Sequence, residues 1–373
     1  VPTEGTPSVA IVHDYLTQRG GAERVVAQCC ATFPGAPLLT SLYDPRATFE
    51  SFRRVDVRTG ALNRIPPLRH HHRAALPLLA PWFATRHVAA DAVLASSSGW
   101  AHGVRTDGRL VVYCHAPARW LYQQDRYLRA TGAATASRAL ARVALAVLGP
   151  PLRRADRAAA VRATTYLANS TATARLVAEL YDREAEVLHP PPAIDATGER
   201  RAVDGLDAGF ALCVARLLPY KHVDVAAAAA ARLDRPLVVV GDGPERRRLA
   251  AAAPKSVRFL GVVDDATLRW CYEQASVLIS VGFEDFGLAP LEAAALGTPT
   301  VARRFGGALD TVVEGATGTL LDDVTPDAVA SAVRALVDRP PSRDRLAAFA
   351  AGFSGARFSA RLREVVTPDG DAP

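Results

Sequence analysis

The chain has 373 residues, 22% of them charged and 49% hydrophobic, with a formal net charge of +6. That length suits two domains of under 200 residues each, and that composition excludes a disordered or fibrous chain. Five cysteines, odd in number and scattered through apolar segments, exclude a disulfide scaffold and are expected as reduced, buried thiols of a cytoplasmic protein.

In chain order, the first half opens with a β-branched run at 9–13, a glycine loop at Arg19-Gly20-Gly21 and a helical pattern over 22–32. Short strands are predicted at 37–42, 92–95, 110–114 and 165–168, with helical stretches between them. Pro190-Pro191-Pro192-Ala193-Ile194-Asp195 and the polar stretch 196–208 lose apolar periodicity and read as a linker. The second half repeats the alternation more cleanly, with strands predicted at 210–214, 236–240, 257–260, 276–281 and 299–302. This βα alternation predicts two doubly wound domains with mostly parallel sheets, 1–195 and 196–355, followed by a helix and tail at 356–373. Ligands of such sheets lie at the carboxyl ends of the strands.

No apolar run reaches the roughly 18 to 20 residues that a membrane-spanning helix needs. Arg142 and Pro150-Pro151 interrupt the best stretch, 140–152, and residues 1–5 lack the order of a secretory signal. Nearly all basic side chains are Arg, dispersed through both halves without an aromatic-interleaved stripe, which gives nucleic-acid binding little support. The two lysines are Lys221 and Lys255.

The most informative string is Glu284-Asp285-Phe286-Gly287-Leu288-Ala289-Pro290-Leu291-Glu292, just after Val277-Leu278-Ile279-Ser280-Val281. Pro290 suits the first turn of a helix that ends at Gly297. Unpaired amides at a helix start favour an anion such as a diphosphate. A carboxylate one turn inside, Glu292, can accept two hydrogen bonds from a ribose diol, and the loop carboxylate Glu284 can reach a second polyol. Two Glu residues eight apart also arise as a solvated helix face plus a loop charge.

Arg216 and Lys221 follow the first strand of the second half in Val214-Ala215-Arg216-Leu217-Leu218-Pro219-Tyr220-Lys221. One guanidinium fork and one point charge there can neutralise a departing diphosphate, and two solvated cations are the alternative. Gly241-Asp242-Gly243-Pro244-Glu245 lacks the third glycine of a dinucleotide fingerprint, with Arg246 in its place, so it serves either a nucleotide site or a tight turn. In Gly20-Gly21-Ala22-Glu23-Arg24, glycines before a helix let amides approach a phosphate or sugar, as they also would in a generic βα turn. His13-Asp14-Tyr15 and His115, in Val111-Val112-Tyr113-Cys114-His115-Ala116-Pro117-Ala118-Arg119, end strands. A lone His is more often structural, whereas at a strand end it can hydrogen-bond a sugar, with Arg119 near for an acceptor phosphate. Arg69-His70-His71-His72-Arg73 lacks metal-ligand geometry, because adjacent side chains diverge, and reads as an interfacial patch or as a solvated helix with a core stripe. Asp-x-Asp occurs only at Asp369-Gly370-Asp371 in the tail, which is expected to be disordered.

Together these strings resemble the Glu-x7-Glu signature and its partners in retaining glycosyltransferases of the GT-B fold, family 4, also called glycosyl transferases group 1. The likeness is strong over 210–322 and looser over 9–189. It implies two Rossmann-like domains facing each other across a cleft, with the last helical segment, 359–366, crossing back to the first. It assigns Arg216 and Lys221 to the leaving diphosphate, Glu284 to donor-sugar hydroxyls, Glu292 to the ribose, and the amides of Phe286, Gly287 and Leu288 to the donor cradle. Gly20 and Gly21 would line the donor and acceptor cleft, Gly241 and Gly243 would lie near the base, and His115 would contact the sugar at the reacting carbon. No metal and no cofactor are expected beyond the nucleotide diphosphate sugar. The pattern of His13, Gly20-Gly21 and His115 looks like bacterial mannosyltransferases of surface polysaccharide and glycolipid synthesis. GDP-mannose is therefore the favoured donor, with a glycan, glycolipid or polyprenyl-linked acceptor at the inner face of the membrane. A UDP-sugar transferase or nucleotide-sugar epimerase on the same fold is the alternative, and a non-catalytic sugar- or nucleic-acid-binding protein is the reading outside that class.

Overall fold

The computed structural model describes residues 7–70, 72–123 and 135–368. His71 and the Asp369-Gly370-Asp371 tail lie outside the described residues. The chain forms two compact units, whose described residues are 7–123, 135–190 and 355–368 in one and 191–354 in the other.

The first unit is built on seven parallel strands: β1 (Val9–His13), β2 (Leu38–Thr40), β3 (Val57–Arg58), β4 (Ala92–Ser97), β5 (Arg109–Cys114), β6 (Thr165–Ala168) and β7 (Glu186–Val187), in the order β3-β2-β1-β4-β5-β6-β7. The order reverses between β1 and β4, where His13 stands beside Ser96. All six residues of β4 are buried, as a central strand covered on both faces requires. One face packs Ile11, Leu94, Val111 and Leu167 against Val25, Val26 and Cys29 of the Gly21–Thr32 helix. Phe358, Leu362 and Val366 of the Gly355–Val366 helix join the same cluster. Burial of each large side chain there contributes about 1.5–3 kcal/mol. At the polar edge of this packing, Gln28 and Thr32 meet Ser359 through hydrogen bonds of 2.9 and 2.7 Å.

The second unit has six parallel strands: β8 (Ala211–Val214), β9 (Leu237–Val240), β10 (Val257–Gly261), β11 (Val277–Ser280), β12 (Thr300–Arg303) and β13 (Gly318–Leu321), in the order β10-β9-β8-β11-β12-β13. Its reversal lies between β8 and β11. The two faces carry separate clusters. Val239, Ile279, Val329 and Val333 belong to one, and Leu212, Val238, Leu278 and Tyr272 to the other. The two sheets together are the Rossmann-like pair of the GT-B fold class.

Pro150 and Pro151, which interrupt the apolar run at 140–152, both lie inside the continuous Thr135–Val161 helix. Tertiary contacts hold it: Arg153 reaches the Leu121 carbonyl, Tyr122 donates to Asp156 and Arg162 donates to the Gly103 carbonyl. The polar stretch 196–208 is not a free tether. Arg269 clasps the Asp195 and Glu199 carbonyls, Arg258 those of Asp204 and Gly205, and Arg200 pairs with Glu273. Arginine pinning replaces the missing apolar periodicity there.

The cysteines are all free, and four are buried. Burial pushes the Cys213 thiol up to about 12, which keeps it protonated. Among the described residues, no helix is long and apolar enough to cross a membrane.

Candidate functional site

The geometry is densest at the reversal point of the second sheet. β8 leads into the Arg216 loop and a short turn at Pro219–Lys221, while β11 leads into Gly282 and the Glu284 loop. A Cβ on Gly282 would fall 2.7 Å from the Lys221 Cα, so glycine is what lets the two loops touch. The Phe283 amide donates to the Tyr220 carbonyl at 3.0 Å and fixes their register. The outcome is a contact of 2.5 Å between Lys221 Nζ and Glu284 Oε1, with the side chains 14% and 21% exposed. A charge-assisted pair this sheltered is worth more than a surface ion pair.

A third loop supports Glu284 from the end of β12. Gly306 has φ 61°, and a Cβ there would lie 2.0 Å from the Glu284 carbonyl. The Gly307 amide donates to that carbonyl at 3.1 Å, and a Cβ on Gly307 would sit 2.1 Å from the Phe286 Cα. Arg303 stacks on Phe283, 4.5 Å from the ring centroid, and donates to the Val281 carbonyl. Phe283 in turn meets Phe305 edge-on at 4.9 Å.

The helix Leu288–Ala295 starts directly after this loop. Gly287 is its N-cap with φ 91°, and no side chain caps it among the described residues. Leu288 is its first residue, and Phe286 is buried against Leu291, Leu346 and Ala350. Glu292 lies one turn inside, 7% exposed, with Oε2 accepting from the Tyr272 hydroxyl at 2.7 Å. The two carboxylates therefore differ in setting: Glu284 is held by a cation and Glu292 by a phenol.

Arg216 is exposed on the neighbouring loop. Gly241 and Gly243 lie against that loop, where a Cβ would come 2.1 Å from the Ala215 carbonyl and 2.4 Å from the Leu217 carbonyl. Gly241 also has φ 121°. Packing alone thus accounts for both glycines, and it brings their turn beside Arg216. The Leu217 amide closes the contact on the Asp242 carbonyl at 2.9 Å.

The first unit collects polar side chains at its own reversal point. His13 Nδ1 lies 3.0 Å from the Ser96 carbonyl, and Ser96 Oγ lies 2.8 Å from His115 Nε2. His115 is 6% exposed. Burial first, then neighbouring His13 and Arg119, push its imidazole down to about 3, so it is neutral at physiological pH. Asp14 braces the loop after β4, accepting from the amides of Ser98, Trp100 and Ala101 at 2.5, 2.7 and 2.9 Å. Behind it, His102 pairs with Asp156 at 3.2 Å, fully buried, and Tyr122 donates to the other Asp156 oxygen at 2.8 Å. Burial alone would lower the His102 pKa, but the Asp156 carboxylate outweighs it and raises it.

Gly20 lies beside a carboxylate of its own helix. Glu23, buried in the first turn of the helix, accepts from Gln18 at 2.9 Å, and its other oxygen would lie 2.6 Å from a Cβ on Gly20. The Gly20 φ of −129° is open to any residue, so a close approach, not backbone strain, is what a side chain there would meet.

The structure thus joins Lys221 to Glu284 and sets Arg216 beside Gly241 and Gly243, while Glu292, Phe286, Gly287 and Leu288 follow Glu284 directly in its loop and helix. It places His115 with His13 and Ser96 in the first unit. Sequence reasoning missed Ser96, Tyr272 and the Gly306-Gly307 support. Ser96-Ser97-Ser98 ending an apolar strand and the glycine pair after β12 were the available signals. Among the described residues, no group of three or more His, Cys, Asp or Glu is placed to hold a metal ion.

Two doubly wound sheets with charged loops at their reversal points define a GT-B protein. Residues 200–352, within the second unit, match the model of the family glycosyl transferases group 1. Curated relatives include D-inositol 3-phosphate glycosyltransferase 2 of Catenulispora acidiphila, 33% identical over 232 residues, 54% of this chain and 53% of that protein. They also include a GDP-mannose-dependent alpha-mannosyltransferase of Mycolicibacterium smegmatis, 42% identical over 110 residues, 29% of each chain. The chain spans about half the length of the first of these and less of the second. Among solved structures, Anabaena Alr3699/HepE in complex with UDP and glucose is similar with a TM-score of 0.69 and 18% identity, over 97% of this chain and 99% of that one. Sucrose-phosphate synthase from Thermosynechococcus elongatus is similar with a TM-score of 0.70 and 18% identity, over 96% and 98%.

Proposed function

We propose that this chain transfers a hexose from a nucleoside diphosphate sugar to an acceptor hydroxyl, with retention at the anomeric carbon and without a metal ion. The observation that carries this reading is the contact of Lys221 with Glu284 at the reversal point of the second sheet, with Glu292 one turn along the helix that begins there. In the reaction the bond from the anomeric carbon to the leaving phosphate oxygen breaks, and the acceptor oxygen bonds to that carbon on the same face. The departing phosphate oxygen takes the acceptor proton. Lys221 and Arg216 stabilise the charge that develops on the diphosphate, an effect largest in a sheltered site. Glu284 holds Lys221 and reads sugar hydroxyls, Glu292 accepts from the ribose diol, and the amides of Phe286, Gly287 and Leu288 favour the anion.

GDP-mannose is the lead donor, supported by the GDP-mannose-dependent enzymes of Corynebacterium glutamicum, 37% identical over 131 residues, and of M. smegmatis. The D-inositol 3-phosphate glycosyltransferases align over more residues, which favours as second reading an inositol phosphate acceptor with another nucleotide sugar, UDP-linked sugars first. A lipid-linked acceptor at the inner face of a membrane is supported by Ile65 and Leu78, 46% and 49% exposed, close in sequence to the basic patch at 69–73. The test is incubation with GDP-mannose and with UDP-glucose plus glycolipid or inositol phosphate acceptors, reading the product's anomeric configuration by NMR. A product of the donor's own configuration supports the proposal. An inverted product overturns retention, and the absence of any product overturns the activity.

A further inference from the structure

His13 and His115 face a single serine from opposite sides, and the chemistry of that serine decides which ring nitrogens carry protons. A carbonyl oxygen only accepts, so the approach of His13 Nδ1 to the Ser96 carbonyl at 3.0 Å requires a proton on Nδ1. That N–H is shared with Ser96 Oγ at 3.2 Å. The hydroxyl, having accepted on that side, turns its own proton to His115 Nε2 at 2.8 Å. A neutral His115 that accepts at Nε2 holds its proton on Nδ1. The neutral state follows from its burial, with neighbouring His13 and Arg119 acting in the same direction. Both rings are thereby locked by one residue that is itself fully buried on β4.

We propose that Ser96 is a positioning residue that fixes the Nδ1–H of His13 and holds His115 in the tautomer that accepts at Nε2, so that His115 meets its ligand as a donor through Nδ1–H. A fixed ring N–H matches a polyol hydroxyl, whose oxygen accepts a hydrogen bond. The pairing sits at the strand ends of the first unit, where such a sheet offers its ligand surface. Its role in transfer rests on the glycosyltransferase reading, whereas the tautomers themselves do not.

The test is ring 15N chemical shifts of the 15N-histidine-labelled protein, in wild type, Ser96→Ala and Ser96→Thr, alongside steady-state transfer. Wild type should show His13 protonated at Nδ1, and His115 protonated at Nδ1 and unprotonated at Nε2. Ser96→Ala should move His115 toward the Nε2–H form, and Ser96→Thr should restore the wild-type pattern. In transfer, Ser96→Ala should lower kcat on the order of 10- to 100-fold with donor KM little changed. His115 protonated at Nε2 in wild type, or a tautomer unmoved by Ser96→Ala, overturns the inference. Tautomers as expected with an unchanged kcat in Ser96→Ala overturn the positioning role and leave the glycosyltransferase reading standing.

Discussion

Replacing Glu284 with Gln should have opposite effects on nucleotide binding and on transfer. In the free protein the Lys221 ammonium is engaged by Glu284 Oε1 at 2.5 Å. Two unit charges about 4 Å apart interact by about 4 kcal/mol at an effective dielectric of 20, and the net worth of a charge-assisted hydrogen bond after desolvation is about 1.5–3 kcal/mol. An incoming diphosphate must share that ammonium and also approach the carboxylate. Glu284→Gln removes the competitor and the repulsion while keeping the side chain's size. Recovery of even about 1.4 kcal/mol tightens the binding of a nucleoside diphosphate about tenfold. Transfer should fall on the order of 100-fold, because the amide no longer holds the ammonium in place for the developing charge. Calorimetric titration with GDP and UDP, paired with turnover of the matching sugar nucleotides, reads both quantities. Weaker diphosphate binding by Glu284→Gln, or undiminished transfer, would refute the view that the pair is an anion site held closed by its own carboxylate.

Lys221→Ala should weaken nucleoside diphosphate binding on the order of 30-fold or more without a large change in Tm, as removal of one charge-assisted partner predicts. Gly306→Ala should destabilise by about 1–3 kcal/mol and displace Glu284, since its φ is 61° and the Glu284 carbonyl would stand 2.0 Å from the new Cβ; differential scanning calorimetry and nucleotide titration would both register it. The depressed His115 pKa has a definite sign. Between the ordinary value near 6.5 and about 3 the unfolded chain binds a proton that the folded chain does not, so this residue makes stability fall with acidification, at up to about 1.4 kcal/mol per pH unit. Unfolding of His115→Asn compared with wild type from pH 7 to 4 should therefore show a shallower acid loss in the variant. Addition of a chelator should leave the transfer rate unchanged, measured against a magnesium-supplemented control.

The strands of both sheets were legible because β-branched runs bounded by Gly, Pro and polar turns leave little alternative at those positions. Ten of them stand within a few residues of where the pattern placed them, whereas β3 and β7, two residues each, have no pattern to read. β13 was missed because Gly318-Thr319-Leu320-Leu321 opens on a glycine, which reads as a turn. That glycine is needed because a Cβ there would meet the Thr300 carbonyl of the adjacent strand. At the site, Lys221 and Glu284 were singled out by residue type, but their contact was not foreseeable, because it depends on Gly282 and on the order of β8 and β11 in the sheet. The closeness of the Glu23 carboxylate to Gly20 was likewise not legible from the string itself. Sequence reasoning identifies groups capable of a chemistry, whereas the strand order decides which of them meet.

The central claim is that the Lys221 and Glu284 loops form the site of a sugar nucleotide. Following release of nucleoside diphosphate from a panel of GDP- and UDP-sugars, with wild type and Lys221→Ala side by side, tests it most directly. At least one donor should be turned over by wild type, slowly with water and faster with an acceptor, and the variant should lose that turnover. Release from no donor, or equal release by the variant, would contradict it.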